Sequence, residues 1–291
     1  MRIVDNIAAL RVHTQLTKTG RMLDRTSLRL SSGQRINSAG DDPAGFAISL
    51  HMRNQVRGMN MADRNTLDGT SLLETADASL QDIHNMLHRI RELAVQGAND
   101  TYSTENRETI QMEINQLLEE INDTTRKVDF NNIKLLNGEA QNLRVQVGGR
   151  RGMSISLTIP PFRTWDMGEV SGATGGLTEY GWYNGSTTIT NNSSVMTHAE
   201  ANQTIARVQS ALEDVSMRRA EIGAFINRFE YTSSGLQAAS EATSRSLSRV
   251  FDADMAYEMM QMSKHQIMSQ AGMSIMAQVN ARPQQILQLL G

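Results

Sequence analysis

The chain has 291 residues with a formal net charge of −3, 39% hydrophobic and 4% aromatic residues, and no cysteine. The acidic balance argues against general nucleic-acid binding, which needs a basic surface, and the lack of cysteine excludes disulfides, thiolate metal sites and cysteine nucleophiles. So few aromatic residues are unusual for a compact globular core and are typical of long helices that pack along narrow seams.

The chain contains no run of 18 apolar residues, so the sequence predicts no membrane insertion. Its first twenty residues also lack the apolar block of a cleavable secretion signal. On these signals alone the protein is expected in the cytoplasm, unless a dedicated export route carries it outside.

The N-terminal segment, residues 1–42, combines a sparse apolar stripe with a polar end. The stripe predicts a helix and consists of Val12, Leu16, Leu23 and Leu30. The stretch Ser31–Asp42, here called the joint, has Ile36 as its one large apolar residue. A polar, glycine-containing stretch between two periodic segments predicts a break between helices.

A second helix is predicted to begin at Asp42-Pro43 and to end at about Gly97. Aspartate is a good N-cap, and proline fits the first helical position because its missing N–H costs nothing there. Apolar residues follow at steps of three and four and form one stripe: Leu73, Ala76, Leu80, Ile83, Leu87, Ile90 and Ala94. A third helix, capped by Ser103 or Thr104, has a similar stripe: Ile110, Ile114, Leu117, Ile121, Thr124 and Val128.

The pattern then changes to a period of two. Apolar and polar residues alternate in Leu143–Val147 and in Met153–Ile159, which predicts two half-buried strands joined by a turn at Gly148–Gly152. Residues 161–197 contain six glycines and both tryptophans but no periodic stripe, so we expect an exposed loop with at most a small hairpin. Its candidate modification sites are hydroxyl residues: Ser186, Thr187, Thr188, Ser193 and Ser194.

From His198 to about Val250 the seven-residue period returns and predicts one long helix. A final helix, residues 251–291, is predicted from a methionine-rich stripe: Phe251, Met255, Met259, Met262, Met268, Ile275 and Val279. Together these elements predict a mainly α protein, with an elongated antiparallel bundle of long helices, paired N- and C-terminal helices and a small β-hairpin region. The expected parts are residues 1–42, 43–160, 161–197, 198–250 and 251–291.

Several long stretches of the sequence resemble bacterial flagellins. In the N-terminal half they are LRLSSGQRINSAGDDPAGFAIS (Leu28–Ser49), RIRELAVQGANDT (Arg89–Thr101) and FNNIKLLNG (Phe130–Gly138). In the C-terminal half they are RAEIGAFINRFEYT (Arg219–Thr232) and the whole of Ser248–Gly291. The resemblance covers about residues 1–160 and 197–291, and Pro43 departs from the small helix former that is usual in the family.

This resemblance implies a structural subunit that self-assembles into the bacterial flagellar filament used for motility. The terminal helices and their stripes would form the inner tube, the bundle would form the outer tube, and the joint would be the spoke between them. It also implies export by the flagellar type III apparatus to the cell exterior and an export chaperone that binds the C-terminal region. The filament cap and the hook–filament junction proteins are further implied partners.

RIRELAVQ also resembles the segment that the vertebrate Toll-like receptor for flagellin recognises. The resemblance implies receptor-binding roles for Arg89, Leu93 and Gln96, and for Glu113 on the next helix. Contacts within the bundle and between protofilaments are the alternative role of the same residues.

Two patterns could indicate small-ligand sites. His84 and His88 are four residues apart, with Glu92 one turn further, which fits metal binding. A solvated or subunit-contact face is favoured, because the sequence shows no third strong ligand and no HExxH motif. Gly148–Gly152 lacks the Lys-Ser/Thr ending of a phosphate loop, so a strand turn is favoured there as well.

Two other functions stay open at this point. The junction protein between hook and filament shares the terminal regions of flagellin. A membrane-active translocator of type III secretion would be a protein of a different class. The sequence shows no catalytic constellation that would indicate an enzyme, and nothing in it requires a cofactor.

Overall fold

The computed structural model describes residues 6–162, 164, 167, 177–183, 186–191 and 193–290. The helices in this part of the chain are α1 (Ile7–Ser32), α2 (Pro43–Gly97), α3 (Thr104–Lys127), α4 (His198–Phe251) and α5 (Met255–Leu290). The strands are β1 (Asp129–Phe130), β2 (Ile133–Lys134), β3 (Leu143–Gln146), β4 (Ser154–Leu157), β5 (Thr178–Tyr183) and β6 (Ser186–Asn191). The predicted mainly α fold with a small β region is therefore confirmed.

The chain divides into two compact units. The terminal unit consists of residues 1–57 and 240–291, and the central unit consists of residues 58–239. Helices α2 and α4 each contribute one part to each unit. Among the described residues, no helix has the length and the apolar character needed to cross a membrane.

The core of the central unit lies along the stripe predicted for α2. All seven of its predicted residues from Leu73 to Ala94 are fully buried. On α3 the buried stripe includes Leu118 and Thr125, whereas the predicted Leu117 and Thr124 are only half-buried. An α-helix has about 3.6 residues per turn, so a stripe predicted at a strict 3.5 drifts sideways along a straight helix.

Helix α4 runs antiparallel to α2 within the central unit. His198 Nδ1 lies 2.8 Å from the carbonyl oxygen of Ala98, near the end of α2. Further along α4, the Arg219 guanidinium donates to the Asp77 carboxylate at 2.8 and 3.2 Å. Arg219 can therefore face α2 without remaining an unpaired charge, because Asp77 on that helix accepts its hydrogen bonds.

In the described part of the chain, three antiparallel hairpins lie between α3 and α4 in the sequence. In β1–β2 the turn residues Asn131 and Asn132 have φ of 49° and 65°, a conformation that asparagine tolerates well. In β3–β4, Leu143 pairs with Leu157 and Gln146 with Ser154, so the strand turn predicted at Gly148–Gly152 is confirmed. The third hairpin pairs β5 with β6.

Glycine allows the β3–β4 turn to approach α2 closely. A Cβ atom built on Gly58 would lie 3.0 Å from the Cα atom of Gly149, closer than side chains normally pack. A larger residue at either position would therefore push the hairpin away from the helix.

The expectation of an exposed loop over residues 161–197 is wrong at both ends of the segment. Phe162, Thr164, Met167, Leu177 and Val195 are all buried against the central core. These apolar residues show no periodic pattern in the sequence, because hydrogen bonds to side chains far away in the chain hold the segment in place.

Two amides on α3 anchor this segment. The Asn122 side-chain oxygen accepts hydrogen bonds from the backbone N–H and the hydroxyl of Thr164 at 3.2 and 2.9 Å. Gln111 accepts from the N–H of Val195 at 2.8 Å and donates to the carbonyl of Ser193 at 3.0 Å. The ends of the segment are therefore part of the folded unit.

Ser193 is not an exposed modification site. Its side chain is 0% exposed, and its hydroxyl donates to the carbonyl oxygen of Leu177 at 2.9 Å. Ser194 is half-buried and donates to Glu200 at 2.7 Å. The side chains of Ser186, Thr187 and Thr188 lie outside the described part of the chain.

This anchoring predicts different costs for two replacements of the segment. A Gly/Ser linker in place of residues 179–191 keeps Leu177 and Val195, and should leave the free energy of unfolding nearly unchanged. A linker in place of residues 165–196 removes both side chains and should cost roughly 1.5–3 kcal/mol for each. Chemical denaturation of the two variants measures the difference, and equal losses would contradict the anchoring.

Candidate functional site

Helices α1 and α5 pack antiparallel in the terminal unit along one narrow seam. The seam residues of α1 follow one another at steps of three and four: Ala9, Val12, Leu16, Thr19, Leu23, Thr26 and Leu30. All four residues of the stripe predicted on α1 lie in this seam, together with Ala9 and two threonines. Thr19 and Thr26 are the buried residues of α1, and each hydroxyl donates to the carbonyl four residues earlier, at 3.0 and 2.5 Å. Because this hydrogen bond satisfies the hydroxyl within its own helix, threonine can be buried in a seam.

The seam of α5 combines small and polar side chains with the half-buried Met262 and Val279. Gly272 faces Leu16, and a Cβ built there would lie 3.1 Å from the Leu16 side chain. Near the other end, the buried Glu258 carboxylate, 5% exposed, accepts from Arg29 at 3.2 Å. The hydrophobic pattern of the sequence selects neither residue, although Glu258 lies at heptad spacing from the predicted Phe251.

The predicted stripe on α5 is largely not the seam. Met255, Met259, Met268 and Ile275 are exposed, while Met262 and Val279 are half-buried beside α1. The prediction selected large apolar side chains, but α5 has such residues on several sides. Hydrophobicity alone therefore cannot predict which side of α5 faces α1 of the same chain.

The terminal pair exposes many large apolar side chains, which we call its outer surface. On α1 they are Ile7, Leu10, Met22 and Leu28, and on α5 they are Met255, Tyr257, Met259, Met260, Ile267, Met268, Met273 and Ile275. At about 100° per residue, the α5 members lie on every side of the helix except the seam. Large apolar side chains spread round a helix in this way are normally buried, so the outer surface is a candidate contact surface.

The joint is fixed to the connection between α4 and α5. Gly33 ends α1 with φ of 69°, and its carbonyl accepts from the N–H of Ala253 at 3.0 Å. The N–H of Arg35 donates to the carbonyl of Phe251 at 2.8 Å, and the Arg35 guanidinium donates to that of Val250 at 2.7 Å. The break predicted at the joint is thus bonded to the break between α4 and α5, which the sequence predicted at about Val250 and the structure places after Phe251.

Phe251 packs where the joint meets the α4–α5 connection, and it is not part of an exposed apolar stripe. Its ring is 4% exposed, and the Arg53 guanidinium carbon lies 3.9 Å from the ring centroid. Ile36 of the joint is also fully buried. Phe251 is therefore unavailable for contacts with another copy, which corrects its predicted role in the terminal stripe.

Two aspartates shape the end of the joint. The Asp41 carboxylate accepts from the N–H groups of Asn37 and Ser38 and from the Ser38 hydroxyl, at 3.3, 3.0 and 3.0 Å. The bond from the Ser38 hydroxyl, more than any other contact, lowers the pKa of Asp41. Asp42 accepts from the N–H of Gly45 at 3.0 Å, so it caps the α2 helix that begins at Pro43, as predicted.

The structure places the predicted receptor residues on α2 and α3 with different exposures. The Arg89 guanidinium is half-exposed and donates to Glu113 at 2.8 and 3.0 Å and to Glu92 at 3.2 Å. These bonds, the one to Glu113 first, raise the pKa of Arg89. Gln96 is exposed and donates to the Tyr102 hydroxyl at 3.2 Å.

Leu93 does not share this surface. It is 2% exposed and belongs to the central core, so it cannot contact a receptor while the chain is folded. Its presence in the resembling motif is explained by packing, because its neighbours Ile90 and Ala94 are fully buried as well.

Glu92, which lies one turn beyond the histidine pair, is already engaged. Glu92 accepts from Arg89, and the described residues include no group of three or more metal-ligating side chains. Burial, followed by the positive charges of His88 and Arg219, lowers the pKa of His84.

A helical fold whose terminal helices expose apolar surface is typical of a structural protein that associates with its own copies. Two family descriptions match the chain: the bacterial flagellin N-terminal helical region over residues 3–141 and the bacterial flagellin C-terminal helical region over residues 205–290. The flagellin of Bacillus subtilis (strain 168) is 37% identical over 306 residues, with 100% of both chains covered. A flagellar filament core protein of Brachyspira hyodysenteriae is 37% identical over 294 residues, again with 100% of both covered.

The chain therefore belongs to the bacterial flagellin family, a family of structural proteins. Its predicted role as a structural subunit of the flagellar filament is confirmed, and the junction-protein and translocator alternatives are not favoured. A solved structure assigned to a flagellar hook-associated protein of Vibrio parahaemolyticus is similar, with a TM-score of 0.55, 13% identity, and coverage of 73% of this chain and 100% of that one. At that identity the similarity shows the fold alone.

Proposed function

We propose that this flagellin polymerises by burying the outer surface of the α1–α5 pair against the same pair in neighbouring copies. The observation that supports the proposal is the number of large apolar side chains that the pair leaves exposed on all sides but one. Full burial of one such side chain contributes roughly 1.5–3 kcal/mol. The single seam within one chain uses mainly small and half-buried residues. Most of the large apolar side chains can therefore be buried only by contact with another copy.

In this proposal residues 1–42 and 251–291 form the inner part of the filament. Residues 43–160 and 198–250 form the outer part, and residues 161–197 lie on its surface. The joint, with its Asp42-Pro43 helix start, is the spoke between the inner and outer parts. Its hydrogen bonds to the carbonyls of Val250 and Phe251 support this role, because they tie both terminal helices to one connection.

Family membership also supports a proposal for how the subunit is exported, where it works and which other proteins it meets. We infer that the subunit is exported by the flagellar type III apparatus, works outside the cell, and meets the filament cap and the hook–filament junction proteins. An export chaperone would bind the C-terminal helix, whose apolar surface needs cover before assembly. Ser186, Thr187, Thr188 and Ser194 stay candidates for glycosylation.

Charged substitutions on the outer surface test the polymerisation proposal. Leu10 and Ile267 are each 66% exposed, so Leu10→Glu and Ile267→Glu should leave the monomer folded. Either change should raise the critical concentration for polymerisation at least about tenfold, because a buried apolar contact is lost and a carboxylate would be desolvated. Sedimentation and electron microscopy measure filament formation, and circular dichroism checks the fold.

The matched control is Ile267→Met, which keeps an apolar side chain of similar volume. It should polymerise at nearly the wild-type concentration. Wild-type polymerisation by both glutamate variants would contradict the proposal, and so would failure of Ile267→Met.

We also propose that Arg89 and Glu113 lie in the surface bound by the vertebrate Toll-like receptor for flagellin. Their support is the resembling motif together with the geometry, since Glu113 and Glu92 hold the half-exposed guanidinium in one place. A side chain that is already fixed loses less entropy when a partner binds it.

Arg89→Ala should lower the affinity of the monomer for the receptor ectodomain by roughly tenfold or more. Arg91→Ala, an exposed arginine on the same helix, is the matched control and should bind like the wild type. Surface plasmon resonance gives both affinities. Equal binding by the wild type and a folded Arg89→Ala variant would remove the receptor proposal without touching the polymerisation proposal.

A further inference from the structure

His84 and His88 bring two imidazole nitrogens together on the surface of α2. Their Nε2 atoms lie 3.0 Å apart, and the two ring centroids lie 4.5 Å apart with an interplanar angle of 82°. His84 is half-buried and His88 is exposed, so the pair is open to solvent on one side. The role in filament assembly proposed above makes no use of this pair.

The spacing of the two nitrogens matches that of two ligands on one metal ion. Zinc–imidazole bonds are about 2.0–2.1 Å long, so two nitrogens at neighbouring coordination positions are about 2.9–3.4 Å apart. We propose that His84 and His88 bind one divalent transition-metal ion, of the class of Zn²⁺, Ni²⁺ and Cu²⁺, through their Nε2 atoms. The sequence favoured a solvated face because it counted ligands, whereas the structure measures their separation.

Among the described residues, the two Nε2 atoms hydrogen-bond to each other, and a metal ion would replace that bond. His84 Nδ1 is buried without a hydrogen-bond partner among the described residues, so no partner at Nδ1 fixes the ring tautomer. Metal binding through Nε2 places the ring proton on Nδ1, and that nitrogen has no described partner in either state. The guanidinium of Arg219 is already paired with the carboxylate of Asp77.

The ligand set selects the class of ion. Imidazole suits zinc, nickel and copper, whereas Mg²⁺ and Ca²⁺ prefer oxygen ligands. Glu92 is paired with Arg89, so water fills the remaining coordination positions of the isolated subunit. Removal of either histidine leaves a single ligand, and the affinity should fall by at least the 10–100-fold that loss of a supporting residue costs in metal sites.

Isothermal titration of NiCl₂ into the full-length, tag-free monomer tests the site. We expect one Ni²⁺ per chain and a more than tenfold weaker affinity for both His84→Gln and His88→Gln. His51→Gln, an exposed histidine on the same helix, is the matched control and should leave the affinity unchanged. Excess Mg²⁺ should not compete.

A second measurement keeps the test decisive if the affinities are hard to fit. Saturating Ni²⁺ should raise the thermal midpoint of the wild type and of His51→Gln, since a ligand that binds the folded state stabilises it. It should not raise the midpoint of His84→Gln or His88→Gln. Equal Ni²⁺ affinity in all four proteins, or an equal loss in His51→Gln, would overturn the proposal.

Discussion

The narrow seam between α1 and α5 limits how stable the two terminal helices can be in a single chain. It has room for threonine and glycine but buries few large side chains, and the buried carboxylate of Glu258 is paired with Arg29. Ordering a residue costs roughly 1–2 kcal/mol of conformational entropy, and a lone helix with few buried contacts is marginal in water. The terminal helices therefore depend on neighbours, and their exposed apolar surface makes copies of the same chain suitable neighbours.

The central unit, in contrast, buries many large apolar side chains within one chain. The α2 stripe is fully buried against α3, α4 and the hairpins, and amides on α3 hold the ends of the 161–197 segment in place. This unit can be stable as a monomer, whereas the terminal pair is left for assembly. The joint keeps the two helices of the pair in register by bonding to the α4–α5 connection. A subunit with one stable and one dependent unit is suited to travel as a monomer and to order fully in a polymer.

The sequence predicted most of what depends on local pattern. The α2 stripe, the Asp42 cap and the β3–β4 hairpin follow from periodicity and capping, and the structure confirms them. It could not predict features set by distant partners. Leu177 and Val195 show no periodicity, and the α5 seam uses Glu258 and Gly272, which no hydrophobic pattern selects. Leu93 fails as a surface residue for a related reason, because a motif does not show which of its positions face the core.

Amide hydrogen exchange on the full-length protein tests the dependence of the terminal helices most directly. In the monomer, amides of residues 7–32 and 255–281 should exchange far faster than those of α2 between Leu73 and Ala94. In the filament both terminal stretches should become as protected as the bundle, because exchange reports local opening. Strong protection of α1 and α5 in the monomer would show that their single seam is sufficient, and would contradict the account.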